Sequence, residues 1–234
     1  MRLNPKISVI LLSYNRTDLL SARLKELHGY YRNRADIQIL VIDNGSPGIS
    51  SSSITQSYLM KGDDWFFSAH RIPENIGFGP AMNKGVKEAK SEVVCLLSDD
   101  VRIYGDFIAR VDSILLAYPE GIVAADIVDW PAGWNQFGAR PTFNYIQGYF
   151  MAMKKETFDK VGGFDDLFAP YDYEDVDFSY RAQKLNVPLV KVALPLQHLA
   201  AGTIGYSDER MDHTCRMRAL FAEKWGLPNV PERP

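Results

Sequence analysis

Apolar residues follow two different periodicities in the first half of the chain. Continuous runs of β-branched residues and Leu, typical of strands covered on both faces, occupy residues 7–13, 37–42 and 93–97. A weaker strand signal covers residues 65–70. Apolar residues recur at helical spacing after Thr17 and Asp18, and again after Gly79 and Pro80, where Pro is expected at the first helical position. This alternation predicts an α/β fold with a doubly wound, mostly parallel sheet and helices on both faces.

The second half of the chain has shorter and less regular signals. Strand-like runs cover residues 148–153 and 189–192, and a helix is expected to start at Glu156. Ser207 is a suitable N-cap for a last helix. The apolar face of that helix would carry Met211, Cys215, Ala219 and Ala222. Since neither a linker nor an internal repeat divides the chain, we expect a single domain over residues 1–234.

Composition and charge narrow the classes of function. The 234 residues include 26 Lys and Arg against 29 Asp and Glu, a net charge of -3, so no nucleic-acid partner is expected. The longest apolar runs fall far short of the ~20 residues that a transmembrane segment needs, so none is expected. Two cysteines without disulfide or metal-site spacing favour a reducing, cytoplasmic location, with which a peripheral association with the membrane is compatible.

Polar side chains follow three of the predicted strands. They are Ser13, Tyr14 and Arg16 after the first strand, Asp43 after the second, and Ser98, Asp99 and Asp100 after the fourth. An isolated pair of Asp residues is more often a solvated turn than a site, because Asp is a common turn residue. Ligands of doubly wound sheets bind beyond the carboxyl ends of the strands, however, and paired carboxylates there can hold a divalent cation. The shared location therefore favours a site.

An acidic helix start lies within the aromatic stretch 164–180. Glu174 or Asp175 is a candidate general base, whose pKa the neighbouring acid would raise toward working pH. The alternative is structural, because carboxylates in a first helical turn are stabilised by the helix dipole. Asp177 is expected to pair with Arg181 four residues on.

Three further features have both a functional and a structural interpretation. His198 is more often a satisfied core residue, but together with Asp100 it would form a donor set suited to Mn²⁺ or Mg²⁺. Gly77 and Asn83, in the run NIGFGPAMNKGV, suggest close backbone approach to a ligand, or a plain turn with helix packing. Trp130 and Trp134 are candidates for stacking on acceptor sugars, or are core aromatics.

Taken together, these segments resemble the family 2 glycosyltransferases with the GT-A fold. The resemblance runs from Ile7 to about Thr203, most specifically through GYFMAMKKETFDKVGGFDDLFAPYDYEDVDFSYR. It is carried also by ISVILLSYNR, VIDNGS, NIGFGPAMNKGV and LLSDDV. The absence of a Gln-x-x-Arg-Trp motif makes the chain similar to the non-processive, rhamnosyltransferase-like members, which add single sugars.

The resemblance implies roles for individual residues. Tyr14 and Asp43 match positions that hold the nucleotide base, Asp175 matches the catalytic base with Glu174 beside it, and His198 matches a late metal ligand. Asp99 and Asp100 match a variant of the Asp-x-Asp motif with Ser98 where an Asp often stands, and we take Asp100 as the metal ligand. The full donor-binding set that we expect is Ser13, Tyr14, Arg16, Asp43, Gly77, Asn83, Ser98 and Asp99.

The implied reaction is an inverting, Mn²⁺- or Mg²⁺-dependent transfer of one sugar from a UDP- or dTDP-linked donor to a hydroxyl of a saccharide or glycoconjugate acceptor. The implied organisation is a nucleotide-binding half at 1–103, an acceptor and catalytic half at 104–207, and a C-terminal helix and tail at 208–234. Two alternatives stay open. A sugar nucleotidyltransferase should have a Gly-rich, basic loop after the first strand, and a non-catalytic carbohydrate-binding protein would have no use for the acids at the strand ends.

Overall fold

The computed structural model of the chain describes residues 5–47, 54–57, 66–130, 143–199 and 207–227. Its central element is a seven-stranded sheet. The strands are β1 (Ile7–Ser13), β2 (Ile37–Asn44), β3 (Phe66–Ile72), β4 (Val93–Ser98), β5 (Val101–Ile103), β6 (Ile122–Ala124), β7 (Ile127–Trp130), β8 (Phe143–Ile146), β9 (Phe150–Lys154), β10 (Leu189–Lys191) and β11 (Leu196–His198). The helices are α1 (Thr17–Tyr31), α2 (Phe78–Glu88), α3 (Ile108–Ala117), α4 (Lys155–Val161), α5 (Glu174–Lys184) and α6 (Asp208–Trp225), with a 3₁₀ turn at Asp166–Phe168 and a helical turn at 54–57.

The main sheet is mixed, with the order β10-β6-β9-β4-β1-β2-β3. All of its pairs are parallel except those of β9, which runs antiparallel to both β4 and β6. The register aligns the carboxyl ends of the central strands, because Ser13 pairs with Asp43 and Leu12 pairs with Ser98. Two small sheets, β11-β5 and β7-β8, lie beside it. The alignment brings the polar ends of β1, β2 and β4 to one edge of the sheet.

Helices cover both faces of the sheet, as the continuous apolar strands predict. On one face, α1 packs through Leu20, Leu24 and Leu27 in a cluster that also holds residues of α3. On the other face, Met82 of α2 and Phe178 of α5 pack in a second cluster. Successive residues of β1 alternate between the two clusters, so the described elements form a single domain around one sheet.

Several sequence-based expectations need correction. Helix α2 begins at Phe78 with Gly77 as its N-cap, so Pro80 is not the first helical residue. Ser207 caps α6 as predicted, with its hydroxyl accepting the Arg210 N–H at 3.1 Å, but the predicted inward face is confirmed only at its end, by the buried Ala222. Met211 and Ala219 of that face are exposed, because α6 packs through its last turns, where Phe221 and Ala222 are buried. The third strand is confirmed from residue 66, and residue 65 lies outside the described residues.

The strand expected at 148–153 is present as β9, but its antiparallel direction was not expected. The short strands β5 to β8 and β11, and helix α3, were also not expected from the sequence. None of the helices in the described part of the chain has both the length and the apolar content that a bilayer crossing requires. The strand expected at 189–192 is present as β10, and the helix expected near Glu156 is present as α4.

Gly85 allows α2 to lie directly against the sheet. A Cβ added at this position would lie 2.6 Å from Cγ2 of Ile10 and 3.2 Å from Cγ1 of Ile42. This glycine of the NIGFGPAMNKGV run therefore serves the packing of the helix on the sheet rather than the approach of a ligand.

Gly85→Ala should destabilise the protein, whereas Gly29→Ala in α1 should stabilise it. Alanine is favoured over glycine in a helix by up to ~1 kcal/mol, but overpacking costs ~1–3 kcal/mol, so the clash should prevail at Gly85. At Gly29 an added Cβ would meet no other part of the described structure within 4 Å, so only the gain applies there. Urea titration measures both changes, and an unfolding free energy raised by Gly85→Ala would contradict the close packing.

Candidate active site

A cleft of about 680 Å³ lies beyond the carboxyl ends of β1, β2 and β4. This volume is typical of small-molecule sites. One wall is formed by the strand ends and includes Ser13, Tyr14, Asn44, Ser98, Asp99 and Asp100. The rest of the lining comes from the residues before β9, from the start of α5 and from the first half of α6. The cleft thus joins groups that are distant in the sequence.

The two acids after β4 are buried and have different partners. The Ser13 hydroxyl donates to Oδ2 of Asp99 at 2.7 Å, across the β1–β4 pair. Oδ2 of Asp100 lies 3.5 Å from Nε2 of His198, because β11 pairs antiparallel with β5 and sets His198 opposite Val101. The His198 ring stacks on Tyr149, with 4.4 Å between centroids and 12° between planes. Secondary structure therefore brings together the acid and the imidazole that the sequence separates.

Asp100 has one buried oxygen that has no hydrogen-bond partner among the described residues. Its Oδ1 accepts no hydrogen bond from the described residues. Burial raises the pKa of Asp100, but hydrogen bonds from His198 and Ser98 outweigh burial and hold the pKa below the usual range. A buried carboxylate that is ionised and has an unused oxygen is suited to a cation. Among the described residues, however, no three His, Cys, Asp or Glu side chains form a metal-binding group.

Two further carboxyls lie at the start of α5. Glu174 is 8% exposed, and its Oε2 is buried without a hydrogen-bond partner among the described residues. Burial, followed by the charge of Asp175, raises the pKa of Glu174 well above its usual value. Burial therefore favours the protonated form of Glu174.

Asp175 is oriented by two backbone N–H groups. Its Oδ2 accepts from Gly148 at 2.8 Å, and its Oδ1 accepts from Val176 at 2.7 Å. A Cβ at Gly148 would lie 3.1 Å from Oδ2 of Asp175, so glycine permits this close approach. Burial raises the pKa of Asp175 to about 6, although both N–H groups stabilise the charged form. Asp175 is thus fixed in orientation, and its pKa of about 6 lies above the usual value of an Asp carboxyl.

The turn before α5 has an unusual backbone. Asp172 and Tyr173, neither of them glycine, adopt φ angles of 69° and 75°. Left-handed conformations of such residues cost on the order of 1–3 kcal/mol each and persist when the surrounding structure holds them. These two residues directly precede Glu174 and Asp175, so the strained turn sets where the two acids lie in the cleft.

Asp177 is a structural residue. The predicted pair with Arg181 is present at 2.7 Å, and Nζ of Lys224 and Nε1 of Trp225 also donate to the carboxylate, at 2.6 and 2.8 Å. The acidic helix start therefore divides into an anchoring acid, Asp177, and two acids that face the cleft.

Not every expected donor residue reaches the cleft wall. Ser13, Tyr14, Ser98 and Asp99 line it. Four others instead hold the loops around it in the described structure: Arg16 pairs with Asp18, Asp43 pairs with Arg71, Asn83 bonds the backbone of Phe164, and Gly77 lies against Pro170. A Cβ at Gly77 would be 2.8 Å from Cα of Pro170, so turn and packing account for this glycine.

Trp130 is a core aromatic rather than an exposed sugar platform. It is 2% exposed, stacks on Phe143 with 5.2 Å between ring centroids, and packs edge-on against Phe221. The expectation that it stacks on an acceptor is therefore wrong, because its ring faces are covered. Trp134 lies outside the described residues.

Sequence reasoning missed several residues of the cleft. Asn44 directly follows Asp43, and its side chain bonds Asn75, Ile76 and Gly77, which fixes the loop before α2. Position at a strand end could have identified Asn44. Arg210 and Thr214 are four residues apart on α6, but no pattern in the sequence indicates that this helix reaches the cleft.

Comparisons with known proteins agree with this architecture. The sequence model described as Glycosyl transferase family 2 matches residues 8–177. A mannosyltransferase of Pyrobaculum calidifontis, PcManGT, solved in complex with GDP-Man and Mn²⁺, is similar with a TM-score of 0.68 and 20% identity over 99% of this chain and 66% of its own. GalNAc-T7, solved with UDP, GalNAc and Mn²⁺, has a TM-score of 0.70 and 13% identity over 99% of this chain and 53% of its own.

Two further proteins are also similar to this chain. TarS of S. aureus has a TM-score of 0.64 at 14% identity, over 94% of this chain and 39% of its own. The uncharacterized protein y4gI of Sinorhizobium fredii is 21% identical over 210 residues, 76% of this chain and 23% of that protein. The chain thus spans 66% or less of the length of each of these proteins. At these identities, the solved structures establish the fold.

Glu174→Gln tests the burial of that carboxyl. Because its pKa is raised above 4.5, the folded protein keeps a proton that the unfolded chain releases as the pH rises. This part of the free energy of unfolding is therefore present at low pH and is lost as the pH rises above 4.5. Glutamine cannot ionise, so the stability of the variant relative to wild type should increase from about pH 5 to about pH 8. Urea titrations measure this, and a constant or falling difference would contradict the assignment.

Proposed function

Since the chain belongs to glycosyl transferase family 2 and has the GT-A fold, we propose that it transfers a single sugar from a nucleoside-diphosphate sugar to a hydroxyl of a saccharide or glycoconjugate acceptor. One observation carries the proposal: a single cleft joins Asp99, Asp100 and His198 at the strand ends with Glu174 and Asp175 at the start of α5. Membership of the family decides against the two alternatives, a sugar nucleotidyltransferase and a non-catalytic binding protein.

Asp175 is the general base of this proposal. A base works best when its pKa lies near the working pH, and the pKa of Asp175 is raised to about 6. The N–H groups of Gly148 and Val176 fix its orientation, while the carboxylate stays at the cleft wall. Glu174 is the weaker candidate, because burial favours its protonated form, which cannot accept a proton.

The proposed chemistry is one displacement. The acceptor oxygen attacks the anomeric carbon from the face opposite the diphosphate, the bond to the diphosphate oxygen breaks, and Asp175 takes the hydroxyl proton. The configuration at the anomeric carbon is inverted in this step. No covalent nucleophile is required.

Asp100 and His198 are the residues that we propose as metal ligands. The donor set fits Mn²⁺ or Mg²⁺, because it combines an ionised carboxylate whose Oδ1 has no partner in the described structure with a nearby imidazole. Both PcManGT and GalNAc-T7 were solved with Mn²⁺, which supports a divalent cation. When bound, the cation would supply charge neutralisation of the departing diphosphate.

Ser13, Tyr14, Ser98 and Asp99 are positioned to meet the donor nucleotide at the strand ends. The Ser13 hydroxyl already bonds Asp99, which leaves Asp100 as the better placed acid for a cation. Asp43 remains our proposal for the base-binding acid, at the end of the neighbouring strand. A UDP- or dTDP-linked sugar is the proposed donor.

Release of nucleoside diphosphate from a panel of UDP-, dTDP- and GDP-linked sugars tests the function. We expect release with at least one donor, loss of release in EDTA and recovery with Mn²⁺ or Mg²⁺. Asp100→Asn should lower turnover by about 10²-fold or more, since a Lewis-acid metal contributes several kcal/mol. The matched control is Asp112→Asn on the exposed face of α3, which should act as wild type.

Two outcomes of this experiment would contradict the account at different points. No release from any donor, with or without acceptors, would contradict the proposed function itself. Full activity in exhaustively chelated enzyme would remove only the cation and its ligands from the proposal.

A further inference from the structure

Helix α6 forms part of the cleft although it lies outside the segment that the family model matches. The match ends at residue 177, whereas α6 covers Asp208–Trp225. Arg210 and Thr214, one helical turn apart, both line the cleft. The proposed reaction assigns no function to these two residues, although both line its site.

Side chains of α6 bind the turn that precedes the two catalytic-site acids. The Thr214 hydroxyl lies 2.5 Å from Oδ2 of Asp172, and a guanidinium nitrogen of Arg210 lies 3.7 Å from Oδ1 of the same carboxylate. Nε2 of His213 lies 2.8 Å from the carbonyl oxygen of Tyr171. These three side chains of α6 therefore contact the backbone of Tyr171 and the carboxylate of Asp172, shortly before Glu174.

This turn needs external support. Asp172 and Tyr173 are both left-handed, and Tyr173, the N-cap of α5, makes no side-chain capping hydrogen bond. A turn of this conformation is maintained by the groups packed against it. The hydrogen bond from Thr214 is directional, and Arg210 adds a longer ion pair to the same carboxylate, so together they constrain the orientation of Asp172 more tightly than apolar packing would.

The other end of α6 is fixed to the body of α5. Lys224 and Trp225 both donate to the buried carboxylate of Asp177, and Phe221 packs against Tyr173 with 5.7 Å between ring centroids. Helix α6 is therefore tied to α5 at Asp177 and to the preceding turn at Asp172. The first turn of α5, which carries Glu174 and Asp175, lies between these two attachments.

We propose that Thr214 and Arg210 are positioning residues for the reaction, and that they act through Asp172 to hold Asp175 in its orientation toward the acceptor hydroxyl. The proposal rests on the proposed function for its kinetic part, because it takes Asp175 as the base. Its structural part is independent of activity. The competing interpretation is that these contacts only add stability to the C-terminal helix.

The Gly148 N–H is a built-in reporter of the orientation of Asp175. It donates to Oδ2 of Asp175 at 2.8 Å, and no residue of α6 bonds it in the described structure. If the turn shifts, this hydrogen bond weakens and the amide exchanges faster with solvent. Hydrogen exchange at Gly148, followed by NMR, therefore reads the position of the base without any substrate.

Thr214→Val removes the hydroxyl and keeps the shape of the side chain. We expect exchange at Gly148 to accelerate at least about threefold. We also expect kcat with the best donor of the panel to fall by about 10- to 10²-fold with the donor KM within about twofold of wild type, as displacement of a catalytic group would produce. Thr214→Ser should restore both values, since it keeps the hydroxyl. Thr157→Val, in α4 and outside the cleft, is the matched control and should behave as wild type.

Each remaining outcome decides the question. Wild-type kcat or wild-type Gly148 exchange in Thr214→Val would overturn the proposal, as would a donor KM that rises in step with the loss of kcat. Equal damage from Thr214→Ser would assign the effect to the methyl group instead. If Thr214→Val does not fold, Arg210→Gln tests the same link from a partly exposed side chain. Lack of turnover in wild type with every donor would contradict the proposed function alone, because the exchange measurement would still decide the structural part.

Discussion

The removal of Glu174 and Asp175 from water at the first turn of α5 is the constraint on which the rest of the site depends. Burial raises the pKa of both carboxyls, so the fold must stabilise the charged form of Asp175 for it to be the proton acceptor that we propose. It does so with backbone N–H groups from Val176 and from Gly148, where the lack of a side chain permits the contact. The strained turn lies directly before these two acids, the buried Glu174 and the partly exposed Asp175, and leads them to one wall of the cleft.

The acids at the strand ends add to the negative charge of the cleft. The described cleft is lined by five carboxyl side chains, Asp99, Asp100, Asp172, Glu174 and Asp175. A nucleoside diphosphate is itself anionic, so its approach to these acids requires positive charge, which a divalent cation at Asp100 and His198 would provide. A protonated Glu174 lowers the negative charge beside the base. The proposed cation and a protonated Glu174 would both reduce the negative charge among these acids.

The sequence predicted the layers of the fold better than the contacts of the site. Continuous apolar strands placed Ser13, Ser98 and Asp99 correctly at one sheet edge, because parallel strands end together. The sequence could not show that β9 runs antiparallel, or that the pairing of β11 with β5 brings His198 next to Asp100, since both depend on tertiary pairing. Trp130 stayed open between an acceptor platform and a core aromatic, because an aromatic in an irregular segment looks the same in sequence whether it is covered or exposed. No periodic pattern in the sequence indicates that α6 lines the cleft.

The turnover of Asp175→Asn at saturating donor and acceptor tests the central assignment most directly. The amide is nearly isosteric and cannot accept the proton, so the account predicts a fall in kcat on the order of 10²-fold or more, with nucleotide affinity close to wild type. Glu174→Gln, the adjacent isosteric change, should retain most of the turnover. Near-wild-type kcat in Asp175→Asn together with a large loss in Glu174→Gln would assign the base to Glu174, and near-wild-type kcat in both would mean that the acidic start of α5 is structural.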